Sequence, residues 1–508
     1  MAKTAMRIGL GTIGAIAAVL LLMPFTAASP VGGIADGKAG AVHEVGRAAP
    51  SVPFGDLTLG GGALGAFALA SGPSASGATA VASPVRGPVA AAKHPTSPQP
   101  VAQLTGLNET KALGPAGNPS VGVSGTYLVE VAGYSLRIES PTGKTVYSTL
   151  TLAKFFNISK TDSLFYSHVV YDSMSGRWLI STLDLTTAID YFSVSKTNSP
   201  LGAFYAYTIY VTYGSRANEF MDYPQWGVSA TYWALGVDVW NSTANTFIGS
   251  AVVLFGKIKL DSGMWSPQAF ASGDLSITPA IAISNNATGT PTEYATSTIG
   301  YSSSTTLAVL AFTGTVPHAS VVTTNYAIAS TGSLPAIPQP GTTVGLESAA
   351  DRVLSASWSY AGATLWVTYT TACTPAGDAT SRTCLRVDAI TTPTNTLSQD
   401  QNVGVAGMYL FAGSLTAMNN GTGYLMEFGY TGGLTYPSLA VTGQATTDSY
   451  GTYRGPIPVF SGSSYDSSGY SELATSTQFL KTTQGTAWSA GATDSTSGWQ
   501  TEIVHYTF

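Results

Sequence analysis

The five histidines of this 508-residue chain, His43, His94, His168, His318 and His505, are widely scattered. A histidine-built catalytic or metal centre needs partners at short fixed spacing, as in H-E-x-x-H, and no such pattern occurs. Acid–base chemistry from carboxylates is similarly thin. Asp184 and Asp190 flank a Thr-rich strand end and read as loop caps. Asp261-Ser262-Gly263 carries the D-[ST]-G triplet of an acid protease, but it has no second copy, and a turn after Ile258-Lys259-Leu260 explains it. A sialidase-like glycosidase would need an arginine cluster for a substrate carboxylate. The β-rich region offers Arg137, Arg177, Arg216, Arg352, Arg382, Arg386 and Arg454, and Ser464-Tyr465-Asp466-Ser467-Ser468-Gly469 loosely suggests the Asp-box turn of such enzymes. No catalytic residue, metal site or cofactor is assigned from these patterns.

Cys373 and Cys384 are the only cysteines. They flank a Pro/Gly/Asp loop between two β-rich runs, Ala363–Thr371 and Leu385–Ile390, and no His or further Cys stands at zinc-ligand spacing. A disulfide stapling a long hairpin is expected, in an oxidising compartment. Five N-x-[ST] sequons, at Asn108, Asn157, Asn241, Asn286 and Asn420, are candidate glycosylation sites.

The elements that must position these residues are β-strands. Charged residues make up 9% of the chain, against about a quarter in ordinary soluble proteins, and the net charge is −6. With no basic stripe and no block of like charge, nucleic acid and acidic membranes are excluded as electrostatic partners. The 21 basic side chains and five histidines also cap the positive charge that acid can build, which fits tolerance of low pH; a Ser/Thr-rich, glycosylated surface protein at ordinary pH is the equal alternative. Lys3 and Arg7 followed by the apolar run Ile8–Phe25 and small residues to Ser29 read as a signal peptide or N-terminal anchor over 1–28. Residues 29–119 are Ala/Gly/Pro/Ser-rich and read as a disordered linker. From about residue 120, strand-length runs rich in Tyr, Val, Thr and Trp alternate with turn residues, and 3.6-residue periodicity is missing. The expected fold class is all-β. Residues 120–508 would form a β-propeller of about seven or eight blades, with tandem β-sandwiches as the alternative.

Three motifs occur in order within this region. They are Tyr171-Asp172-Ser173-Met174-Ser175-Gly176-Arg177-Trp178, then Val194-Ser195-Lys196-Thr197-Asn198-Ser199-Pro200-Leu201-Gly202-Ala203-Phe204, then Asp222-Tyr223-Pro224-Gln225-Trp226-Gly227-Val228. The order resembles a group of secreted, largely uncharacterised bacterial and archaeal β-propeller proteins. An acid that this group often carries near its C-terminus is missing from Tyr453-Arg454-Gly455-Pro456-Ile457-Pro458, so no role attached to it transfers. Each motif also has a structural cause. Asp172 and Gly176 bracket a tight turn, and Trp178 packs between blades. Asp222 and Tyr223 begin an inner strand and are the candidate channel or ligand residues. The function expected is a non-enzymatic extracellular propeller binding a protein or glycan; the alternative is a secreted hydrolase, most concretely a sialidase-like glycosidase. A membrane enters only through an N-terminal segment that stays uncleaved.

Overall fold

The computed structural model describes residues 58–68, 97–114, 119–159, 163–213, 217–244, 246–273, 276–283, 291–300, 303–418, 423–467, 476–479 and 486–507. The leader therefore lies outside the described residues. Strands β1 (Thr58–Ala68) and β2 (Gln99–Asn108) come first. A four-stranded meander follows, of β3 (Ser120–Val123), β4 (Leu128–Ala132), β5 (Ser135–Glu139) and β6 (Thr145–Thr151). The next contains β7 (Leu164–Asp172), β8 (Arg177–Asp184), β9 (Ile189–Ser195) and β10 (Ala203–Thr212). After it come β11 (Glu219–Val228), β12 (Tyr232–Asn241), β13 (Thr246–Gly256) and β14 (Pro267–Ser272). Short strands β15 (Thr278–Pro279) and β16 (Ile281–Ile283) lead into β17 (Glu293–Thr298), β18 (Thr306–Thr313) and β19 (Ser320–Ala327). Then follow β20 (Val353–Ser359), β21 (Thr364–Cys373), β22 (Arg382–Thr391) and β23 (Thr396–Val403). Next are β24 (Met408–Ala417), β25 (Tyr424–Gly432), β26 (Thr435–Gln444) and β27 (Arg454–Phe460), and last β28 (Ser476–Phe479), β29 (Thr486–Ser495) and β30 (Gly498–Thr507). Helix among the described residues is confined to three short pieces.

The architecture is an all-β propeller. The first strands β3, β7, β11, β15, β20, β24 and β28 pack in succession, and β28 meets β3 again, so they surround a central axis. Tandem sandwiches would stack sheets in separate pairs and make no such circuit. Five sheets of four or five strands stand separately, against the seven or eight expected from length. The difference has a local cause. The meanders β11–β14 and β20–β23 are fused in one nine-stranded sheet through β16, which pairs in parallel with β11 and with β20. The chain divides at Ala280: β15 pairs with β17, whereas β16 turns to the neighbouring first strands.

The boundary expected at 119/120 needs correction. β2 pairs antiparallel with β30 and so belongs to the sheet that closes the ring. It is preceded by β1, which adds a fifth strand to the edge of β10. Both strands lie in the stretch read as linker; β1 is hidden by its Gly- and Ala-rich composition, and β2 by its mixed polar residues and proline. Edge strands need a backbone ladder more than large side chains, so composition alone misses them.

Large aromatics fill the spaces between faces. Trp178, fully buried, lies among Val129, Leu136 and Ile138 of the preceding sheet, and its indole N–H donates to the Asn198 carbonyl at 3.0 Å. Burial of a side chain this size contributes about 2–3 kcal/mol. Asp172 accepts from the N–H groups of Met174 (2.9 Å) and Ser175 (3.1 Å), and Gly176 has φ +68°, as the turn reading requires. Asp172 also pairs with Lys257 of the next meander. Cys373 and Cys384 are disulfide-bonded across β21 and β22, with Cα atoms 5.8 Å apart.

Because β2 completes the closing sheet, a chain beginning at residue 97, which loses only the edge strand β1, is expected to melt within a few degrees of the full-length protein. A chain beginning at residue 120 should lose about 10 °C or more in Tm, read by circular dichroism. Equal melting of the two fragments would remove the structural role assigned to β2.

Candidate functional site

Five consecutive meanders carry a non-glycine residue in the left-handed region at or just before the first strand: Tyr166 (φ 47°), Tyr223 (φ 51°), Ser276 (φ 54°), Ala350 (φ 53°) and Ala412 (φ 50°). Each costs about 1–2 kcal/mol relative to ordinary backbone. Tyr166, Tyr223 and Ala412 sit inside β-bulges of β7, β11 and β24. A bulge re-aims the side chains beside it, and bulges of this kind gather near functional sites. Tyr166 lies near the start of β7, whereas Tyr223 and Ala412 lie midway along β11 and β24.

Polar side chains converge between β7, β11, β12 and the segment before β20. Asp222 and Tyr223, the sequence candidates, are both half-buried here. The Tyr166 hydroxyl donates to Asp222, and the Tyr166 and Tyr223 rings meet edge-on with centroids 5.6 Å apart. Arg352 stacks over the Tyr223 ring at 5.1 Å and reaches Asp238 at 4.0 Å. Asp238, at the far end of β12, is fully buried; it accepts from both the N–H and the hydroxyl of Ser276 at 2.7 Å each. Glu347, half-buried, lies within electrostatic reach of Arg352 and Asp222. Three carboxyl groups thus share one guanidinium.

Burial raises the proton affinity of all three. Asp238 is pushed up to about 6 and Asp222 above the usual range, both opposed by the Arg352 charge, while Asp222 also raises Asp238 by like-charge repulsion. Glu347 is raised by burial and further by Asp222. His168, on β7 beside the Pro224 carbonyl, is pushed down to about 4 by burial and so stays neutral above that pH. The cluster can therefore hold a carboxylic acid beside a carboxylate in mildly acid solution.

Sequence reasoning found Asp222 and Tyr223 and counted Arg352, but it did not connect Asp238, Glu347 or Tyr166 with them. No local signal links these residues; the sheet circuit brings them together. The arginines do not assemble a sialidase-like triad among the described residues. Arg137 pairs with Glu139, Arg382 with Asp378, Arg386 with Asp400 and Arg454 with Asp448, each within its own meander, and Arg177 lies near Asp261. Arg216 lies outside the described residues. Asp261 accepts from the Trp233 indole at 2.9 Å, in the turn that Gly263 completes. Asp184 caps Thr186 at 2.8 Å, and Asp190 is buried beside Trp226. Among the sequons, Asn108 caps a helical turn, Asn157 ends one at φ 55°, and Asn241 accepts from Thr243 and Ala244 at 2.9 and 2.7 Å. Asn286 and Asn420 lie outside the described residues.

Other buried acids extend the same behaviour around the ring. Burial pushes Asp261 up to about 6, Glu427, Asp494 and Glu502 to about 7, and Asp388 to about 8. A carboxyl whose folded-state proton affinity is raised stabilises the fold fully below its ordinary pKa and loses that contribution as pH rises through the folded value. His168 acts oppositely, costing stability as pH falls from about 6.5 towards 4. Asp378 and Asp448, held low by Arg382 and Arg454, lose their contribution only in stronger acid. His505 is also lowered by burial, and the raised acids outweigh the two histidines. The melting temperature should therefore be several degrees higher at pH 4.5 than at pH 7.5. Scanning calorimetry showing the reverse order would contradict this assignment of buried acids.

No family model matches the chain, and no curated protein matches it. Among solved structures, a hypothetical selenium-binding protein from Sulfolobus tokodaii superposes with TM-score 0.35 at 11% identity, over 72% of this chain and 85% of that one. An alpha-L-arabinofuranosidase from Lactobacillus brevis gives 0.28 at 10% identity, over 52% and 82%. One from Fusarium graminearum, in complex with an iminosugar inhibitor, gives 0.29 at 11%, over 57% and 98%. Likenesses this distant assign no role to any residue of this chain.

Proposed function

We propose that this protein is a secreted propeller directed at glycans, and that its channel mouth hydrolyses glycosidic bonds in acid. The observation that carries this reading is the set of Asp222, Asp238 and Glu347 around Arg352. Glycoside hydrolysis needs one carboxyl that keeps its proton, to protonate the leaving oxygen, and a second that is ionised, to act as base or nucleophile. Neighbouring carboxyls that repel each other divide their protons in this way. Asp238 has both oxygens committed to Ser276 and holds the cluster in place. Asp222 and Glu347 are then the reacting pair. Arg352 keeps one of them ionised, and the Tyr166 hydroxyl orients Asp222.

The wider setting is part of the proposal. The low charge and the leader-like N-terminus support export to an acidic exterior, and the disulfide is in keeping with an oxidising compartment. A ring of seven blades follows if each half of the nine-stranded sheet counts as one blade, and the motif order supports kinship with secreted propellers. The second reading is non-enzymatic binding of a glycan or protein at the same mouth. It is favoured by how fully Arg352 is engaged with Asp238 and Tyr223.

Aryl glycosides and a glycan array, tested from pH 3 to 7 with the full chain, separate the two. Hydrolysis is expected, with Asp222→Asn and Glu347→Gln each lowering kcat by about 100-fold or more while KM and Tm change little. Retention of a glycan without turnover, lost in Asp222→Asn, selects binding. Neither turnover nor retention would overturn both.

A further inference from the structure

Lys257, directly after β13, reaches Asp172, the last residue of β7, with Nζ 2.5 Å from Oδ2. The two side chains are 5% and 0% exposed. Every other ion pair among the described residues leaves at least one partner 11% or more exposed. Removing two charges this fully from water is costly, and their mutual attraction returns only part of the cost.

Both partners are fixed independently of their contact. The Lys257 N–H donates to the Thr231 carbonyl at 2.9 Å, and Nζ donates to the Ser229 carbonyl at 2.7 Å. The Asp172 carbonyl accepts from the Gly176 N–H at 2.8 Å, which closes the turn. Oδ1 of Asp172 takes the Met174 N–H at 2.9 Å, while Oδ2 takes the Ser175 N–H at 3.1 Å and the Ser175 hydroxyl. Cγ lies one C–O bond of about 1.2 Å beyond Oδ2, and so within about 3.7 Å of the amine. Oriented groups react from separations of about 3–3.5 Å. The pair is nearly there.

A third group stands beside them. Glu293, the first residue of β17, is 1% exposed, and neither of its carboxyl oxygens has a hydrogen-bond partner. A backbone chain brings it in: Val228 N–H donates to the Ala280 carbonyl at 3.0 Å, and Ala280 N–H to the Tyr294 carbonyl at 2.8 Å. Glu293 thereby lies next to Ser229, whose carbonyl holds Nζ, and within electrostatic reach of Lys257. Burial raises its proton affinity well above the usual range, so it keeps a proton in mild acid. The buried Trp233 ring, 5.9 Å from Nζ, excludes water from this side. Asp261 is the other acid nearby; it accepts from the Trp233 indole at 2.9 Å and has Arg177 in reach.

We propose that Lys257 and Asp172 condense to an amide, a covalent cross-link between the β7–β10 and β11–β14 meanders, with Glu293 as proton carrier. Within the contact, the Lys257 ammonium passes a proton to Asp172, leaving an amine and a carboxylic acid. The nitrogen lone pair attacks Cγ and the C–N bond forms, while Oδ1 takes up negative charge against the Met174 N–H. Glu293 gives its proton to the Oδ2 hydroxyl and takes one back from nitrogen. The C–Oδ2 bond breaks, one water leaves towards the exposed Ser175, and Glu293 ends as it began. Ammonium and carboxylate have become amide and water, with no change of oxidation state. The amide carries no charge to bury, and Oδ1 keeps its bond to Met174. The cross-link is independent of what the channel cuts or binds.

Mass spectrometry of the full chain, denatured, reduced and digested with trypsin, tests this. The expected product joins peptide 161–177 to peptide 217–259 and is lighter than their sum by one water, with fragment ions placing the bond between Asp172 and Lys257. Lys257→Arg should yield only separate peptides. Glu293→Gln should lower the linked fraction about tenfold or more at unchanged circular dichroism, and Glu293→Asp, which keeps a carboxyl, should restore part of it. Separate peptides of full mass from the unaltered chain overturn the cross-link whether or not the variants fold. A link from Lys257 to Asp261 or Glu293 overturns the assignment of Asp172. Linking as complete in Glu293→Gln as in the unaltered chain overturns the role of Glu293.

Discussion

A propeller is held together by the faces of its sheets and by one seam, where the last sheet must be completed by chain from the other end. Here that seam is the pairing of β2 with β30, and a single buried acid secures it. Glu130 on β4 accepts from the Leu107 N–H at 3.1 Å and from the Thr501 hydroxyl, so one carboxyl joins β2, β30 and the neighbouring sheet. Among the described residues no base forms an ion pair with it, and burial raises its proton affinity against the pull of Arg137 and Lys111. Glu427 behaves alike: it takes hydrogen bonds from Ser489 and Tyr506 across the next face. Without the seam, the first strands would have no closed circuit, and the channel mouth would have no fixed shape.

This use of acids follows from the scarcity of charge. A protonated carboxyl is both donor and acceptor, so it can join two sheets without a basic partner and without the cost of burying an ion. In Asp388, whose carboxyl meets the Tyr369 hydroxyl at 2.6 Å, burial outweighs the pull of nearby Arg386. A chain with 21 basic side chains in 508 residues has few ion pairs to build with, and acid conditions turn that restriction into stability. The same acids become liabilities near neutrality, where each must either ionise in place or move toward water.

What the sequence made legible was whatever is local. The Asp172–Gly176 turn, the Trp178 packing position, the cysteine hairpin and the strand-rich texture all depend on residues within a few positions of one another, and all appear as expected. β2 was hidden because its partner β30 lies at the opposite end of the chain and its own residues, Gln99–Asn108, carry little strand-like composition. The mouth was half legible. Asp222-Tyr223-Pro224 stood out as a motif, but Asp238 reaches it from the end of β12, and Glu347 and Arg352 arrive from a loop without secondary structure. The left-handed residues were also invisible, since Tyr, Ser and Ala gave no hint of the conformation that glycine usually signals.

The cluster at the mouth is where scarcity of charge has its largest consequence. Had each acid its own arginine, as Asp378, Asp400 and Asp448 have, all three would be ionised through the whole working range and would neither hold a proton nor repel one another strongly. With one guanidinium among three carboxyls, the number of bound protons must change in mild acid, and each change alters the force on Glu347. Asp222 and Asp238 stand on neighbouring strands, whereas Glu347 and Arg352 come from the loop before β20. Proton uptake at the cluster therefore depends on the closed circuit of first strands that brings β11, β12 and this loop together.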